Sequence, residues 1–191
     1  MIARSWFFSV LCLSVLCLQG VILIRGAVAG ESTTVQLPTV ALVDQESHPQ
    51  RLDRLLEGRT VVIDFVFTSC KTSCSILSAI MAQVEKDVRE HLGDELILVS
   101  LTVDPAHDTP GQLKDYAGRF ATTAHWYWLT GTVADVKQAL RAFNVPVFGK
   151  PEEHPPIMMA GNVQTGEWKR WVGIPDPHDV AKTALMMVGA Q

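Results

Sequence analysis

The sequence predicts an α/β protein in which helices flank a central mixed sheet. Segments rich in β-branched and aromatic residues alternate with amphipathic segments in the order β-α-β-α-β-α-β-β-α. The segment at residues 60–67, TVVIDFVF, is apolar almost throughout, as is typical of a strand that is covered on both faces. We therefore expect a mainly parallel sheet with helices on both faces, to which a terminal hairpin adds antiparallel strands at the edge.

The first half of the chain contains the elements that surround this strand. Residues 31–37 are polar and extended, and residues 39–56 combine an alternating strand pattern, a turn at Pro49 and a short helical turn. Residues 74–91 carry apolar side chains at i, i+3 and i+4, which predicts a helix packed against the sheet.

The second half of the chain continues the alternation and closes with a hairpin and a helix. Its predicted elements are a strand at residues 95–104, a helix at 109–120, a strand at 125–131, a helix at 132–144, a hairpin at 157–173 and a helix at 176–188. Thr109 followed by Pro110 is typical of a helix start, and Thr132 is a suitable N-cap for the next helix. With 191 residues, of which 48% are hydrophobic and 19% charged, the chain suits one globular domain.

An apolar segment precedes the predicted domain. Residues 1–24 contain Arg4 followed by a long apolar run, and Ala27-Val28-Ala29 matches the small-residue pattern of a signal-peptide cleavage site. The apolar run is also about as long as a membrane span, roughly 20 residues. We therefore expect residues 1–29 to act as a signal peptide or as a retained membrane anchor. Residues 30–191 are then a domain exported to the periplasm, either soluble or attached to the inner membrane.

The charge balance disfavours nucleic acid as a partner. The formal net charge is −4, and residues 1–29 contain two arginines and no acidic residue, so the domain that follows is more acidic still. An acidic domain without a basic stripe is unlike a nucleic-acid-binding surface.

Two cysteines mark the junction between the strand at residues 60–67 and the helix that follows it. Cys70 and Cys74 are the pair that the predicted domain keeps, because the other two of the four cysteines lie in the N-terminal segment. Ligands of open α/β sheets bind at the carboxyl ends of strands, and a helix N-terminus favours thiolate over thiol. Lys71 adds a cation nearby. The C-x-x-x-C spacing lets both sulfurs converge on a third group, so the pair is predicted to be a dithiol/disulfide pair or a set of metal ligands.

A third ligand is expected if these cysteines bind a metal, because two thiolates rarely complete a site. Among the six histidines, His154 is the preferred partner because it lies in a Pro- and Gly-rich loop just before a central strand. His107 follows the second buried strand on the same rim and remains a candidate. A Cys₂His set suits copper(I) and accepts copper(II); zinc also accepts these groups, although three protein ligands leave one of its positions open. Met158 and Met159 lie on an apolar strand and are expected to pack in the core.

At these positions the chain resembles the SCO/SenC family. The segments FVFTSCKTSC and VSLTVDPAHDTPGQLKDYAGRF, and a histidine 80 residues after the second cysteine, carry the resemblance, which spans residues 37–188. The resemblance implies a thioredoxin-like fold that binds one copper ion, Cu(I) or Cu(II), per chain. Matched by position, Cys70, Cys74 and His154 are the implied metal ligands, and Asp104 is an implied outer-shell contributor.

The resemblance also implies a function and partners. SCO/SenC proteins assist the assembly of cytochrome c oxidase, so the chain is expected to be a metallochaperone that delivers copper to the dicopper site of the oxidase or reduces the cysteines of that site. The implied partner is the copper-site subunit of the oxidase or another copper enzyme, together with a thioredoxin-like reductant. The prolines that the family usually carries in its cysteine loop are absent here, where the loop reads Lys71-Thr72-Ser73.

Other functions fit parts of the same pattern. The strongest alternative is a periplasmic thiol–disulfide oxidoreductase without physiological copper, which a cis Pro156 facing the cysteines would favour. A peroxidase is disfavoured because Thr68 stands two residues before Cys70, whereas peroxiredoxins place a threonine three residues before the reactive cysteine. A membrane-attached interaction module with a structural disulfide is also disfavoured, because that disulfide would close a very short loop and constrain little chain entropy.

Overall fold

The computed structural model describes residues 31–33, 35–70, 73–120, 122–146 and 149–189. Within these ranges the chain forms eight β-strands and five α-helices. The predicted signal or anchor segment and Lys71 lie outside the described residues. In the part of the chain that the structure describes, every helix is too short or too polar to cross a bilayer.

The order of strands and helices follows the predicted alternation. The strands are β1 Glu31–Thr33, β2 Ala41–Val43, β3 Pro49–Arg51, β4 Thr60–Val66, β5 Leu96–Thr102, β6 Trp126–Gly131, β7 Ile157–Asn162 and β8 Glu167–Val172. The α-helices are α1 Leu52–Leu56, α2 Ser73–Asp87, α3 Pro110–Ala117, α4 Val133–Ala142 and α5 Pro177–Val188. The strands and helices predicted from residue 60 onward are therefore confirmed, with small differences at their ends. The last turn of the helix predicted at residues 74–91 is a separate 3-10 turn, Arg89–His91.

The eight strands form one mixed sheet in the order β1-β8-β7-β4-β5-β6-β2-β3. The pairs β4–β5 and β5–β6 are parallel, and the other pairs of this sheet are antiparallel. The mixed sheet is as predicted, but the expectation that it is mainly parallel with an antiparallel edge is wrong. The β7–β8 hairpin lies beside β4, inside the sheet, because the long connection after α4 brings the chain back in the opposite direction. The β2–β3 hairpin extends the other side of the sheet next to β6.

The central strands separate two hydrophobic cores. Every residue of β4 and β5 is buried, and successive side chains of a strand point to opposite faces. Val62 belongs to the core that packs against α2, α3 and α5, and this core also contains Cys70 and Cys74. Ile63 and Phe65 belong to the core that packs against α1 and α4. The cysteine pair therefore lies on the α2 side of the sheet.

Side-chain caps fix the starts of two helices at the carboxyl edge of the parallel strands. At α3, the hydroxyl of Thr109 accepts a hydrogen bond from the backbone N–H of Gln112, whose side chain accepts one from the backbone N–H of Thr109. At α4, the hydroxyl of Thr132 accepts a hydrogen bond from the backbone N–H of Asp135 at 3.1 Å. Both predicted helix starts are confirmed. The caps hold the loops after β5 and β6, which surround the candidate site.

Candidate metal and dithiol site

Cys70 and Cys74 lie together at the junction between β4 and α2. Cys70 is in the loop that follows β4, and Cys74 is in the first turn of α2. Both side chains are buried, and they are present as two thiols rather than as a disulfide. The backbone N–H of Cys74 donates a hydrogen bond to Cys70 Sγ at 3.3 Å. The start of the helix thus supplies one of its unpaired N–H groups to a cysteine sulfur.

Burial raises the pKa of the Cys74 thiol above its ordinary value, and its hydrogen bond with Cys70 raises the pKa further. The side chain is only 4% exposed, so a charge on its sulfur would lose most of its hydration. Negative charge on Cys70 or on Asp64 acts in the same direction. The expectation that the helix N-terminus favours thiolate is therefore wrong for Cys74, because desolvation outweighs the helix dipole there. Any reaction that uses this sulfur must first remove its proton.

His154 lies three residues before β7 and packs against Phe65. The centroids of the two rings are 6.3 Å apart, and Phe65 belongs to the core on the side of the sheet opposite to the cysteines. Burial lowers the pKa of His154 to about 4, and the positive charge of Arg170 acts in the same direction. The imidazole is therefore neutral near pH 7. Its Nε2 atom is buried and has no hydrogen-bond partner in the described structure.

The predicted ligands are only partly brought together. Among the described residues, no group of three or more His, Cys, Asp or Glu side chains is arranged to hold a metal ion. Cys70 and Cys74 are neighbours, and His154 lies apart from them beside Phe65. The donors nevertheless fit copper, since two soft sulfurs lie side by side and the imidazole offers a nitrogen without a described partner. The described structure therefore pairs two of the three predicted ligands and leaves the third on the other side of β4.

Asp104, the predicted outer-shell residue, lies in the loop after β5 and lines the same cavity as His154. This cavity has a volume of about 210 Å³, and Lys137 and Lys150 also border it. The Nδ1 atom of His107 lies 2.9 Å from both carboxylate oxygens of Asp104. The hydrogen bond with Asp104 raises the pKa of His107. His107, the second candidate for a third ligand, is thus an exposed ion-pair partner of Asp104 in this structure.

Asp108 is a site residue that the sequence analysis missed. It is 2% exposed, and its carboxylate accepts hydrogen bonds from the backbone N–H and the hydroxyl of Thr68 and from the hydroxyl of Thr102. Burial raises the pKa of Asp108, against the effect of these hydrogen bonds. In the sequence, Asp108 lies in the VDPAHDTP segment that carries the family resemblance, but before Thr109-Pro110 it resembles an ordinary polar residue at a helix start. Its burial is what reveals its role as an acceptor.

Asp64 is a second buried carboxyl group that the sequence analysis passed over. It lies in the middle of β4, where one of its oxygens accepts a hydrogen bond from the hydroxyl of Ser100. Its other oxygen is buried without a partner among the described residues, and burial raises the pKa of Asp64 to about 7. The signal was present in the sequence as a single acidic residue inside an otherwise apolar strand.

The segment from His154 into β7 decides two further expectations. The peptide bond between Pro155 and Pro156, which both lie in the described chain, is trans. The feature that would favour the thiol–disulfide oxidoreductase alternative is therefore not found. Met158 and Met159 are fully buried on β7, so their assignment to the core is confirmed.

The fold and the cysteine pair together define the class of protein. A mixed sheet flanked by helices, with a dithiol between a central strand and the helix that follows it, is a thioredoxin-like thiol protein. A profile of the SCO1/SenC family matches residues 34–162, which is about two thirds of the chain. The chain belongs to the SCO1/SenC family.

Known relatives and solved structures agree with this assignment. The SCO1 protein homolog of Bacillus subtilis is 34% identical over 100 residues, which cover 51% of this chain and 51% of that protein. The chain therefore spans about half the length of this relative. The structure of BsSco, described as a member of the Sco family of cytochrome c oxidase assembly proteins, matches 84% of this chain and 98% of its own, with a TM-score of 0.69 and 23% identity. The structure of Arabidopsis thaliana ScoI with copper bound matches 80% of this chain and 97% of its own, with a TM-score of 0.66 and 19% identity. The predicted thioredoxin-like fold is confirmed.

Proposed function

We propose that the chain binds one copper ion through Cys70, Cys74 and His154 and serves in the assembly of the dicopper site of cytochrome c oxidase or of another copper enzyme. The observation that carries this proposal is the pair of buried, adjacent thiols at the start of α2 in a SCO1/SenC chain. Thiolate sulfur is a soft ligand that prefers copper(I), and imidazole accepts both oxidation states of copper. Copper is the cargo of such a protein.

The chain's own residues prepare these donors in different ways. His154 is already neutral, as a metal-binding imidazole must be, because burial lowers its pKa to about 4. Cys74 retains its proton, because burial raises its pKa, so copper binding must release that proton. The N–H group of Cys74 stabilises negative charge on Cys70 Sγ. We therefore expect copper to bind to the sulfur of Cys70 before it binds to the sulfur of Cys74.

We also infer that the protein works outside the cytoplasm. Support comes from the apolar segment at residues 1–29 and from two adjacent cysteines in a domain that needs no disulfide for its core. Fractionation of cells that produce the full chain, followed by N-terminal sequencing, tests this. Recovery in the periplasm or in the inner membrane is expected, and recovery in the cytoplasm with an intact N-terminus contradicts it.

Competitive titration of copper(I) against a chromophoric chelator tests the copper site. Three variants are compared with the wild-type chain: Cys70→Ser/Cys74→Ser, His154→Ala and, as a matched control, the exposed His107→Ala. We expect the double variant to lose tight binding, His154→Ala to weaken binding at least tenfold, and His107→Ala to stay within threefold of wild type. Wild-type affinity no higher than that of the double variant would refute the proposal.

A second candidate function is reduction of a client's disulfide by the same cysteines. Its support is that Cys70 and Cys74 lie side by side with no disulfide between them, and that a disulfide switch has been identified in BsSco. In this reaction the two thiols give two electrons and two protons to the client's disulfide and become a disulfide themselves. A thioredoxin-like reductant would then restore the thiols.

The two roles are separated by supplying the oxidase's copper-site domain in two states. The copper-loaded chain is mixed with the reduced, copper-free domain, and the reduced copper-free chain is mixed with the domain in its disulfide form. Copper transfer in the first mixture supports delivery, and loss of the domain's disulfide in the second supports reduction. An unchanged client in both mixtures contradicts both roles for this client.

A further inference from the structure

We propose that Asp108 is a positioning residue for the Cys70–Cys74 pair, because its buried carboxylate ties the loop before Cys70 to the loop that carries Asp104. The copper part of this inference rests on the proposed function. The predicted effect on the reduction potential of the dithiol does not rest on copper binding, because it depends only on the geometry of two thiols that are already adjacent.

The first attachment is to the cysteine loop. The backbone N–H of Thr68 lies 3.1 and 3.2 Å from the two oxygens of Asp108, and the Thr68 hydroxyl donates to one of them at 2.6 Å. Thr68 is two residues before Cys70, whose own backbone N–H donates to the carbonyl of Phe67 at 3.1 Å. The segment from Phe67 to Cys70 is thus a tight turn, held from one side by a carboxylate.

The second attachment is to the loop after β5. The hydroxyl of Thr102 donates to Asp108 at 2.6 Å, and Thr102 Oγ1 accepts the backbone N–H of Asp104 at 2.9 Å. The backbone N–H of Asp108 also donates to the carbonyl of Asp104 at 2.9 Å. Asp104 in turn lines the cavity in which His154 lies. One carboxylate therefore joins the dithiol loop to the wall of the His154 cavity.

This connection restrains Cys70 more directly than it restrains the core. Hydrogen bonds to a carboxylate are about twice as strong as neutral ones, and here they act on a turn only two residues from the sulfur. With the restraint in place, Cys70 Sγ stays where it accepts the N–H of Cys74. Without it, Cys70 can move toward disulfide geometry, so the disulfide gains stability relative to the dithiol and the prearranged pair of ligands is lost.

The test compares variants of the full chain. Asp108→Asn keeps the shape of the side chain but replaces one acceptor oxygen with a donor. Thr68→Val removes the hydroxyl contact and leaves the carboxylate, and Thr68→Ser restores the hydroxyl. The matched control is Asp44→Asn, because Asp44 is 4% exposed and also accepts three hydrogen bonds, from the N–H groups of Glu46 and His48 and from the side chain of Gln50.

Asp44 is a suitable control because it lies toward the amino ends of the parallel strands, whereas the cysteines lie at their carboxyl ends. It follows β2, which runs antiparallel to β6, and the side chain of its neighbour Gln45 bonds to the carbonyl of Trp126 at the start of β6. The cysteines lie at the carboxyl end of β4, which points in the same direction as β6. A general loss of stability should therefore appear in both Asp108→Asn and Asp44→Asn. A change in the properties of the dithiol should appear only in Asp108→Asn.

Two quantities are measured, the copper(I) affinity and the reduction potential of the dithiol in glutathione buffers. We expect Asp108→Asn and Thr68→Val each to weaken copper binding at least tenfold and to lower the potential by about 30 mV, which is a tenfold change in the equilibrium constant. In Thr68→Ser and Asp44→Asn, the copper(I) affinity and the equilibrium constant between dithiol and disulfide should both stay within threefold of their wild-type values. If Asp108→Asn does not fold, the comparison of Thr68→Val with Thr68→Ser tests the same inference.

Equal values for Asp108→Asn, Thr68→Val and wild type would overturn the inference, and so would an equal shift in Asp44→Asn. Failure of the proposed function is recognised separately. In that case the wild-type chain binds copper no better than Cys70→Ser/Cys74→Ser, and the potential alone then tests the role of Asp108.

Discussion

The imidazole of His154 packs on the ring of Phe65, with 6.3 Å between the centroids and an angle of 53° between the planes. This contact lies on the face of β4 opposite to Cys74. The imidazole thus contacts the core on the α1 and α4 side of the sheet, whereas both cysteine side chains lie in the core on the α2 side. Burial beside Phe65 keeps the imidazole neutral near pH 7.

The titration of His154 reports this packing. In the wild-type chain without copper we expect His154 to titrate at about pH 4, because the ring is buried. Phe65→Leu opens space for water beside the ring, so the pKa should rise toward the ordinary value of about 6.5. NMR of the histidine ring nuclei across the pH range measures both values. His107, whose pKa Asp104 raises, is the internal control, and an ordinary pKa for His154 in the wild-type chain would contradict its burial.

The buried carboxyl group of Asp64 makes folding stability depend on pH. Its pKa is raised to about 7 in the folded protein, so between about pH 4 and pH 7 the folded chain keeps a proton that the unfolded chain has lost. The contribution of Asp64 to the free energy of unfolding therefore falls by about 1.4 kcal/mol per pH unit between pH 4 and pH 7, and it is constant outside this range. Between about pH 4 and pH 6.5 His154 contributes a slope of similar size and opposite sign, because the unfolded chain then carries a proton that the buried imidazole has lost, so the two contributions largely cancel in the wild-type chain.

Asp64→Asn separates the two contributions. The free energy of unfolding of the variant minus that of the wild type should rise by about 1.4 kcal/mol per unit from pH 4 to pH 7 and then level off. Urea unfolding at several pH values measures it. Asp115→Asn, at an exposed position of α3, is the matched control for the change from a carboxyl group to an amide. A difference for Asp64→Asn that is independent of pH would show that this carboxyl group titrates normally.

Asp104 is expected to influence the copper(I) affinity through His107 and through the cavity that it shares with His154. Asp104→Asn removes the charge that raises the pKa of His107 and changes the wall of the cavity beside His154. We expect the pKa of His107 to fall and copper(I) affinity to drop by about tenfold, the lower end of the effect usual for groups that support metal ligands. His107→Gln removes the ion pair but keeps the carboxylate, so it should leave copper affinity within threefold of wild type. Equal losses in the two variants would show that the ion pair matters, rather than the carboxylate.

Gly161 permits the close approach of β7 and β8 behind the site. A Cβ atom at this position would lie 2.0 Å from the Trp168 ring, which is itself buried. Gly161→Ala should therefore destabilise the fold by about 1–3 kcal/mol. Trp168 packs on Phe143 and Phe143 packs on Phe65, so the variant should also raise the pKa of His154.

Gly111→Ala is the matched control for this substitution. Gly111 lies in α3 and would gain a Cβ with no atom within 4 Å, so the change should stabilise the protein by about 0.5–1 kcal/mol. Urea unfolding compares the two variants. A loss of stability in both would mean that the crowding at Trp168 is not the cause.

The sequence alone determined the elements of this protein and its reactive pair. Apolar periodicity, the caps at Thr109 and Thr132, and the position of Cys70 and Cys74 between a strand and a helix are all local features, decided by residues a few positions apart. Tertiary structure alone decided that β7 enters the sheet beside β4, that Cys74 keeps its proton and that His154 rests on Phe65. It also decided that Asp108 reaches Thr68, forty residues earlier. These outcomes depend on strand pairing and on loss of water around a group, and both are set by distant parts of the chain that meet only when the protein folds.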